Sequence, residues 1–261
     1  MASASVQLSV RNIQKSFPAK GGAVHVLDGL NFDIREQDFV SIIGPSGCGK
    51  STIFNIVAGL VSPDAGTLLH RNEEIASLRG HVGYMMQKDL LFPWRTVLDN
   101  VLLGLEMRGV DRREAVEKAR RHLASFGLSG FESAYPKTLS GGMRQRVALI
   151  RTLIMDPDIL LLDEPFSALD YQTRLYLEGV LKEAVEKFKK TVVLVTHDID
   201  EAVALSKRVV VLSGRPSRVK AVHEIDIAES SPVAARGNPR FSSYFHMLCG
   251  ELDIQTMAAA S

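Results

Sequence analysis

The sequence predicts an α/β protein with a mostly parallel central sheet, a β part at the N-terminus and an inserted helical subdomain. Short, wholly apolar runs (FVSIIG, DILLLD, TVVLVTH and RVVVL) alternate with helical stretches, the pattern of a parallel sheet covered on both faces. The first third reads instead as strands joined by turns. From about Val97 to Met155 the apolar residues follow helical spacing, and this marks the subdomain.

In chain order, QLSV, LNFDI, FVSIIG and GTLLH are the N-terminal strands, with GG at 21–22 and PDAG at 63–66 as turn signals. Between the last two strands, Lys50 to Leu60 mixes Ile53, Phe54, Ile56 and Val57 with small residues and predicts a buried helix. The texture changes after HVGYMMQ. In the helical stretch, Val116, Ala119, Leu123 and Phe126 mark one face; Arg112, Arg113, Lys118, Arg120 and Arg121 around them read as a solvated face. Strands return at DILLLD and TVVLVTH, separated by a helix from about Tyr171 to Lys189, and RVVVL follows a further helical stretch. Phe241, Tyr244, Phe245, Leu248 and Leu252 then form one apolar face of a C-terminal helix, expected to dock on the chain's own core.

Composition narrows the function classes. With 261 residues, 46% of them hydrophobic, the chain is long enough to bury a substantial core. Lys and Arg number 31 against 30 Asp and Glu, so no whole-chain field points to nucleic acid or an anionic membrane surface, and no nucleic-acid partner is expected. The two cysteines, Cys48 and Cys249, are too few for a disulfide framework or a zinc cluster, which fits a reducing compartment such as the cytoplasm. No apolar run approaches the ~18 residues of a membrane span, and the N-terminus lacks a basic start followed by an apolar block. The chain is expected neither to cross a membrane nor to carry a secretory signal.

The strongest chemical signal is GPSGCGKST: Gly44, Pro45, Ser46, Gly47, Cys48, Gly49, Lys50, Ser51 and Thr52. It satisfies G-x-x-x-x-G-K-[ST] between a predicted strand and a predicted helix, the context that makes it a phosphate loop for ATP or GTP. Glycines let backbone N–H groups close around a β-phosphate, Lys50 reaches β and γ oxygens, and Ser51 offers its hydroxyl to Mg²⁺. A dinucleotide fingerprint fails here, because its third glycine would fall on Thr52.

Such a loop needs a carboxylate for the metal, and LLLDEP supplies Asp163 with Glu164 adjoining. Strand alternation points the two side chains apart, so Asp163 can reach the Mg²⁺ shell while Glu164 faces an attacking water as general base. His197, ending TVVLVTH, could hydrogen-bond a γ-phosphate or orient that water; a purely structural strand-end role fits its spacing as well. Gln87, after GYMM, is either a carboxamide ligand for Mg²⁺ or water, or a plain polar residue. A second anion site opens at LSGGMRQRVALI, residues 139–150, where a predicted helix start exposes unpaired N–H groups and the positive end of a dipole.

LSGGMRQR, GPSGCGKST, the glutamine after YMM, LLLDEP, SALD and the histidine of VTHD occur in the order found in ATP-binding cassette (ABC) ATPases, and the chain resembles that family over nearly its whole length. The resemblance implies a RecA-like P-loop core with a mostly parallel sheet, an N-terminal antiparallel β part and an inserted α-helical subdomain. It implies one ABC ATPase domain over 1–261: a nucleotide-binding core with β subdomain from 1–87 and 156–225, a helical signature subdomain at 88–155 and a C-terminal helical extension at 226–261. ATP and Mg²⁺ are the implied cofactors. The implied assembly is a head-to-tail dimer with two nucleotides between the phosphate loop of one copy and the signature of the other. By motif position Ser140, Gly141 and Gly142 are the donors in trans, Gln87 the metal-sensing residue at the hinge, His197 the switch histidine at the γ-phosphate, and Asp170 the dimer contact of SALD. Phe17, in QKSFP, lies where the family stacks an aromatic ring on adenine, usually a tyrosine; a phenyl face can stack as well. Met143 replaces the glutamine of LSGGQ and leaves the backbone donors in place.

Finer features, LLFPWRTVLDNV after Gln87, HDIDEAV and LSGRP, are similar to the importer branch that takes up nitrate, sulfonates, taurine, bicarbonate or pyrimidine precursors. That similarity implies an ATPase subunit bound peripherally at the cytoplasmic face of the inner membrane. Its partners would be separate transmembrane permease subunits, with a solute-binding protein as an indirect partner. Leu91, Phe92, Pro93 and Trp94 are then candidates for the groove that receives the permease, or else a buried satellite cluster. An exporter's ATPase subunit, or a soluble ABC ATPase acting on nucleic acid or ribosomes, shares the core motifs.

Overall fold

The N-terminal strands are longer than their sequence pattern. In the computed structural model, which describes residues 5–167 and 169–254, β1 (Val6–Ala19) and β2 (Gly22–Arg35) are each 14 residues long and form an antiparallel hairpin. QLSV covers only the start of β1 and LNFDI only the end of β2. Register shifts interrupt the pairing between Val10 and Ile13 and again up to Ser16, and Asn12 adopts a φ of 50° there. Such bulges break the period-two alternation by which a strand is recognised in sequence. β3 (Phe39–Ile43) follows, buried throughout, and leads through the glycine-rich loop into α1 (Lys50–Val57).

β4 (Ala65–His70) pairs with β1, and β5 (Glu73–Ile75) with β4, completing a four-stranded antiparallel sheet of order β2-β1-β4-β5. Gly66 permits this closure: its φ is +91° and a Cβ there would lie 2.3 Å from the Asn12 carbonyl oxygen. β6 (Val82–Met85) is the edge strand of the second sheet, to which β3 also belongs. The chain then leaves for α2 (Val97–Met107), α3 (Arg112–Ser125), a short 3-10 turn (Pro136–Thr138) and α4 (Gly141–Leu153). It returns through β7 (Ile159–Asp163), α5 (Tyr171–Lys187), β8 (Thr191–Val195), α6 (Ile199–Leu205), β9 (Arg208–Leu212) and β10 (Val219–Glu224). α7 (Pro232–Gly237) and α8 (Phe241–Glu251) close the described chain. The second sheet has the order β10-β9-β3-β8-β7-β6, parallel except for β10.

Among the described residues, alternation along these strands feeds three buried clusters. Ile159 and Leu161 of β7 join Val40, Ile42, Val193 and Val195 in a layer shared with α1 and the antiparallel sheet. Leu160 and Leu162 point the other way, with Val192 and Leu194, into a layer filled by α2 to α5. Each fully buried aliphatic side chain contributes about 1.5–3 kcal/mol. Ala119, Leu123 and Phe126 are buried there and Val116 packs beside them, as the spacing predicts. The C-terminal face docks as expected: Phe241 and Leu248 are buried against Ile199, Val203 and Val209, with Tyr244, Phe245 and Leu252 partly covered.

β5, β6, β10 and α7 carry too little pattern for prediction: three polar-rich residues, four interrupted by Gly83, an edge strand and a six-residue helix. No helix among the described residues is long and apolar enough to cross a membrane.

Candidate active site

The loop between β3 and α1 takes its shape from its glycines. Gly47 and Gly49 have φ of +74° and +108°, and a Cβ on Gly49 would come within 2.8 Å of both Val26 and Leu27 of β2. A Cβ on Gly44 would press on Cys48 Sγ and Leu212 Cβ, each at 3.0 Å. Only a bare backbone fits at these two positions. Gly49 precedes α1 without a side-chain cap, which leaves the helix's first N–H groups for an anion. Lys50 is buried, and its ammonium folds back over the loop to donate to the carbonyls of Gly44 (2.8 Å) and Pro45 (3.1 Å).

A cleft of about 840 Å³ opens above this loop. Phe17, Pro18, Val24 and Val26 line its apolar end; Ser46, Gly47, Gly49, Lys50, Ser51 and Thr52 form its floor; Gln87, Glu164, Val195, His197 and Arg215 complete the wall. Cys48 is buried in the core beneath the loop rather than facing the cleft. The half-exposed Phe17 ring has the Lys15 ammonium 5.5 Å from its centroid.

Asp163 ends β7, almost fully buried. Burial pushes its carboxyl above the ordinary range and Glu164 adds to this, while hydrogen bonds from Ser51 and Tyr84 and the charge of Lys50 pull it down. Tyr84, which donates to Asn55 Oδ1 (3.3 Å) and Asp163 Oδ2 (3.5 Å), has its own phenol pushed up by burial and by that carboxylate. Glu164 then takes a φ of 48°, a left-handed conformation that costs a non-glycine residue about 1–2 kcal/mol. Its N–H donates to the Val195 carbonyl at 2.8 Å, pinning the turn against β8. Its carboxylate is thereby held between two neighbours: Oε2 accepts from Gln87 Nε2 at 2.9 Å, and Oε1 lies 3.3 Å from His197 Nδ1. Three loops, after β6, β7 and β8, thus bring Gln87, Glu164 and His197 into one row, and the structure joins residues for which spacing alone left bland roles open.

This donor set fits magnesium and a triphosphate. A hydroxyl (Ser51), a carboxylate (Asp163) and a carboxamide (Gln87) are the hard oxygen ligands that Mg²⁺ takes. The bare loop, the α1 N-terminus and Lys50 supply the matching seat for phosphate oxygens.

Ser140, Gly141 and Gly142 do not line this cleft. They open the 13-residue α4, where Ser140 Oγ accepts the Met143 N–H at 3.2 Å and a Cβ on Gly142 would meet Leu169 at 3.0 Å. α4 is tied to the segment after Gln87: Arg144 pairs with Asp89 at 3.1 Å, and Arg151 donates to the carbonyls of Asp89 (2.7 Å) and Leu90 (2.8 Å). Asp170 caps α5 by accepting the Thr173 N–H at 3.0 Å.

The residues of LFPW part company. Leu91 is buried in the core, which removes it from any surface contact, whereas Trp94 is 71% exposed and stacks on Phe92 with ring centroids 5.1 Å apart. A wholly buried cluster is therefore ruled out for this segment. Asn100, fully buried, fixes the loop by accepting the Phe92 N–H (2.7 Å) and donating to the carbonyls of Phe92, Arg95 and Thr96. Sequence reasoning misses Arg215 in the cleft wall; its only signal is a charge inside the tight SGRP turn.

A phosphate loop beside a strand-end aspartate and an adjoining glutamate, on a parallel sheet that also carries a glycine-led helix start, defines a P-loop nucleoside triphosphatase. The family model described as ABC transporter matches residues 27–167, and the chain belongs to that family. It is an ATPase whose cofactors are ATP and Mg²⁺. It is 49% identical over 222 residues to an uncharacterized ABC transporter ATP-binding protein of Methanocaldococcus jannaschii, covering 85% of this chain and 83% of that one. The aliphatic sulfonates import ATP-binding protein SsuB of Bacillus cereus is 43% identical over 217 residues, 83% of this chain and 85% of its own. Among solved structures, the dimeric structure of MJ0796, a bacterial ABC transporter cassette, superposes with a TM-score of 0.77 at 33% identity, covering 84% of this chain and 98% of that chain. A post-hydrolysis state of the same cassette, bound to ADP and Pi, gives 0.76 at 32% over the same shares.

Proposed function

We propose that this chain is the ATP-hydrolysing subunit of a membrane importer for a small anion such as nitrate, a sulfonate or taurine. It acts as a head-to-tail dimer bound peripherally at the cytoplasmic face of the inner membrane. The whole of 1–261 is then one ABC ATPase domain: a core with β subdomain (1–87 and 156–225), a helical signature subdomain (88–155) and a C-terminal extension (226–261). One observation carries the dimer. The cleft gathers Lys50, Ser51, Gln87, Glu164 and His197, while the second anion-binding turn, Ser140 to Gly142, lies outside it on α4. A second copy in the inverted orientation supplies that turn, and the dimeric structures of the MJ0796 cassette support such an arrangement. Import of a small anion rests on the name of the SsuB relatives, 42–43% identical, and on the LLFPW and LSGRP segments.

In this reading magnesium, when bound, neutralises phosphate charge and orients the oxygens. Asp163, Ser51 and Gln87 hold it; Lys50 and the loop amides stabilise charge on the transferring group; Phe17 stacks on the base. Glu164, oriented by Gln87 and His197, accepts a proton from the attacking water. Ser140, Gly141 and Gly142 of the opposite copy add N–H donors at the terminal phosphate, so the triphosphate bridges two chains. Closure of that bridge drives the permease, and its loss after hydrolysis releases it. Pro93 and Trp94, on the loop that Arg151 and Asn100 anchor, face the permease.

The test is reconstitution with ABC permease subunits from the same organism, in vesicles supplied with taurine, nitrate or an alkanesulfonate. ATP-dependent uptake of one of them is expected. Hydrolysis that never couples to these membrane subunits would overturn the importer assignment.

A further inference from the structure

The phosphate loop is gripped by a side chain of the cleft wall to which the hydrolytic mechanism gives no role. Between β9 and β10 the chain turns through residues 213–218, and this turn is stitched to β2. The Asp28 N–H donates to the Ser217 carbonyl at 2.9 Å, the Ser217 N–H donates to the Val26 carbonyl at 2.9 Å, and Arg218 pairs with Asp28 at 2.6 Å. At the tip, Arg215 directs two donors of one guanidinium, Nε at 3.1 Å and Nη2, onto the carbonyl oxygen of Gly47. The turn is thus fastened at its base, and its free end rests on the loop.

That carbonyl is a sensitive place to hold. Gly47 stands at a φ of +74° and Gly49 at +108°, so two of the loop's residues use conformations in which a glycine backbone is soft. In a trans peptide the carbonyl and the following N–H point in opposite directions. Holding the Gly47 carbonyl on the Arg215 guanidinium therefore turns the Cys48 N–H to the opposite side, where it donates to the Pro45 carbonyl at 3.2 Å beside the Lys50 ammonium on the same oxygen. Val26 and Leu27 press on Gly49, and Leu212 presses on Gly44. Arg215 supplies the hold between these two, at the one remaining left-handed glycine.

We propose that Arg215 is a positioning residue for the nucleotide: it fixes the Gly47–Cys48 peptide plane and so pre-shapes the phosphate loop, without touching the nucleotide itself. The proposal rests on the loop being the nucleotide seat. A planar, forked guanidinium can engage one oxygen through two N–H groups, which a lysine ammonium on a flexible stem reproduces only in part. A loop already shaped for the β-phosphate binds ATP and ADP alike, and its loss is a loss of uniform binding.

Titration calorimetry with MgATP and MgADP, ATPase kinetics and thermal melting on wild type, Arg215→Ala, Arg215→Lys and Lys50→Ala test this. Arg215→Ala is expected to weaken both nucleotides by the same factor, about tenfold, equivalent to ~1.4 kcal/mol. KM rises while kcat holds, Arg215→Lys recovers part of the loss, and the melting temperature moves by less than about 2 °C because the side chain is exposed. Unchanged affinity in Arg215→Ala overturns the proposal. So does a loss confined to ATP, which would make Arg215 a direct contact of the γ-phosphate, or a loss that Arg215→Lys does not relieve and that tracks a fall in melting temperature. Lys50→Ala separates the two levels: if it still binds nucleotide, the phosphate-loop assignment fails, whatever Arg215 does.

Discussion

Glu164 pays for its position in backbone strain and gains a carboxylate held on both sides, by Gln87 at 2.9 Å and His197 at 3.3 Å. If it is the base, Glu164→Gln keeps nucleotide binding and lowers hydrolysis by about 10²–10⁴-fold, the range for removing a positioned acid–base group. Phosphate-release assays measure this, and turnover within a few-fold of wild type would refute the role. Gly49→Ala tests the loop differently. Its Cβ would meet Val26 Cγ1 at 2.7 Å in a left-handed conformation, so a loss of ~1–3 kcal/mol of stability is expected by denaturant unfolding together with weakened MgATP binding. At this scale much was legible in sequence: the nine residues of the phosphate loop and the DE pair announce themselves by residue type and context. Gln87 and His197 are ambiguous by spacing and are assigned only through the motif order, because their contact with one carboxylate appears only when three separate loops converge. Arg215 was invisible for a similar reason, its acceptor being a backbone carbonyl 168 positions away.

Among the elements, α6 carries a charge where the core would prefer none. Glu201 is buried, accepts from Thr196 Oγ1 at 2.6 Å and lies 3.7 Å from Arg174. Burial, outweighing the Thr196 hydrogen bond, pushes its carboxyl from 4.5 up to about 7. Below pH ~4.5 both folded and unfolded chains keep the proton; between there and pH ~7 only the folded one does. The stability this group contributes is therefore full at acid pH and is lost as pH rises toward 7, on the order of 3 kcal/mol. Glu201→Gln should flatten that part of the profile in urea unfolding at pH 5 and pH 7.5; an unaltered slope would show that another group is responsible. Pattern reading succeeded for elements with a clean period. β3, β7, β8 and β9 are buried throughout and emerged close to their bounds, while α3 and α8 keep a helical stripe whose apolar face was legible. It made β1 and β2 too short, because their bulges interrupt the alternation, and it missed β5, β10 and α7, where tertiary pairing rather than local sequence makes the structure.

For the whole molecule, the proposed assembly covers two surfaces: the stack of the exposed Trp94 on the partly exposed Phe92, and the Ser140 turn. Trp94→Ala should leave hydrolysis by the isolated protein intact and weaken its co-purification with the membrane subunits; undiminished capture would assign that stack elsewhere. Ser140→Arg should block hydrolysis while each chain still binds nucleotide in its own cleft, and loss of binding would contradict a role in trans. In the proposed dimer, the separation of the cleft from the Ser140 turn also makes defects exchangeable between copies. A chain dead through Ser140→Arg and a chain dead through Glu164→Gln, when mixed, assemble one intact composite centre and one doubly broken one, so activity reappears on mixing. With both lesions on a single chain and wild type as its mate, each centre inherits one fault, and the pair stays silent. Genetic complementation that depends on which chain bears which lesion is thus the outcome that the proposed sharing of each centre between two copies predicts.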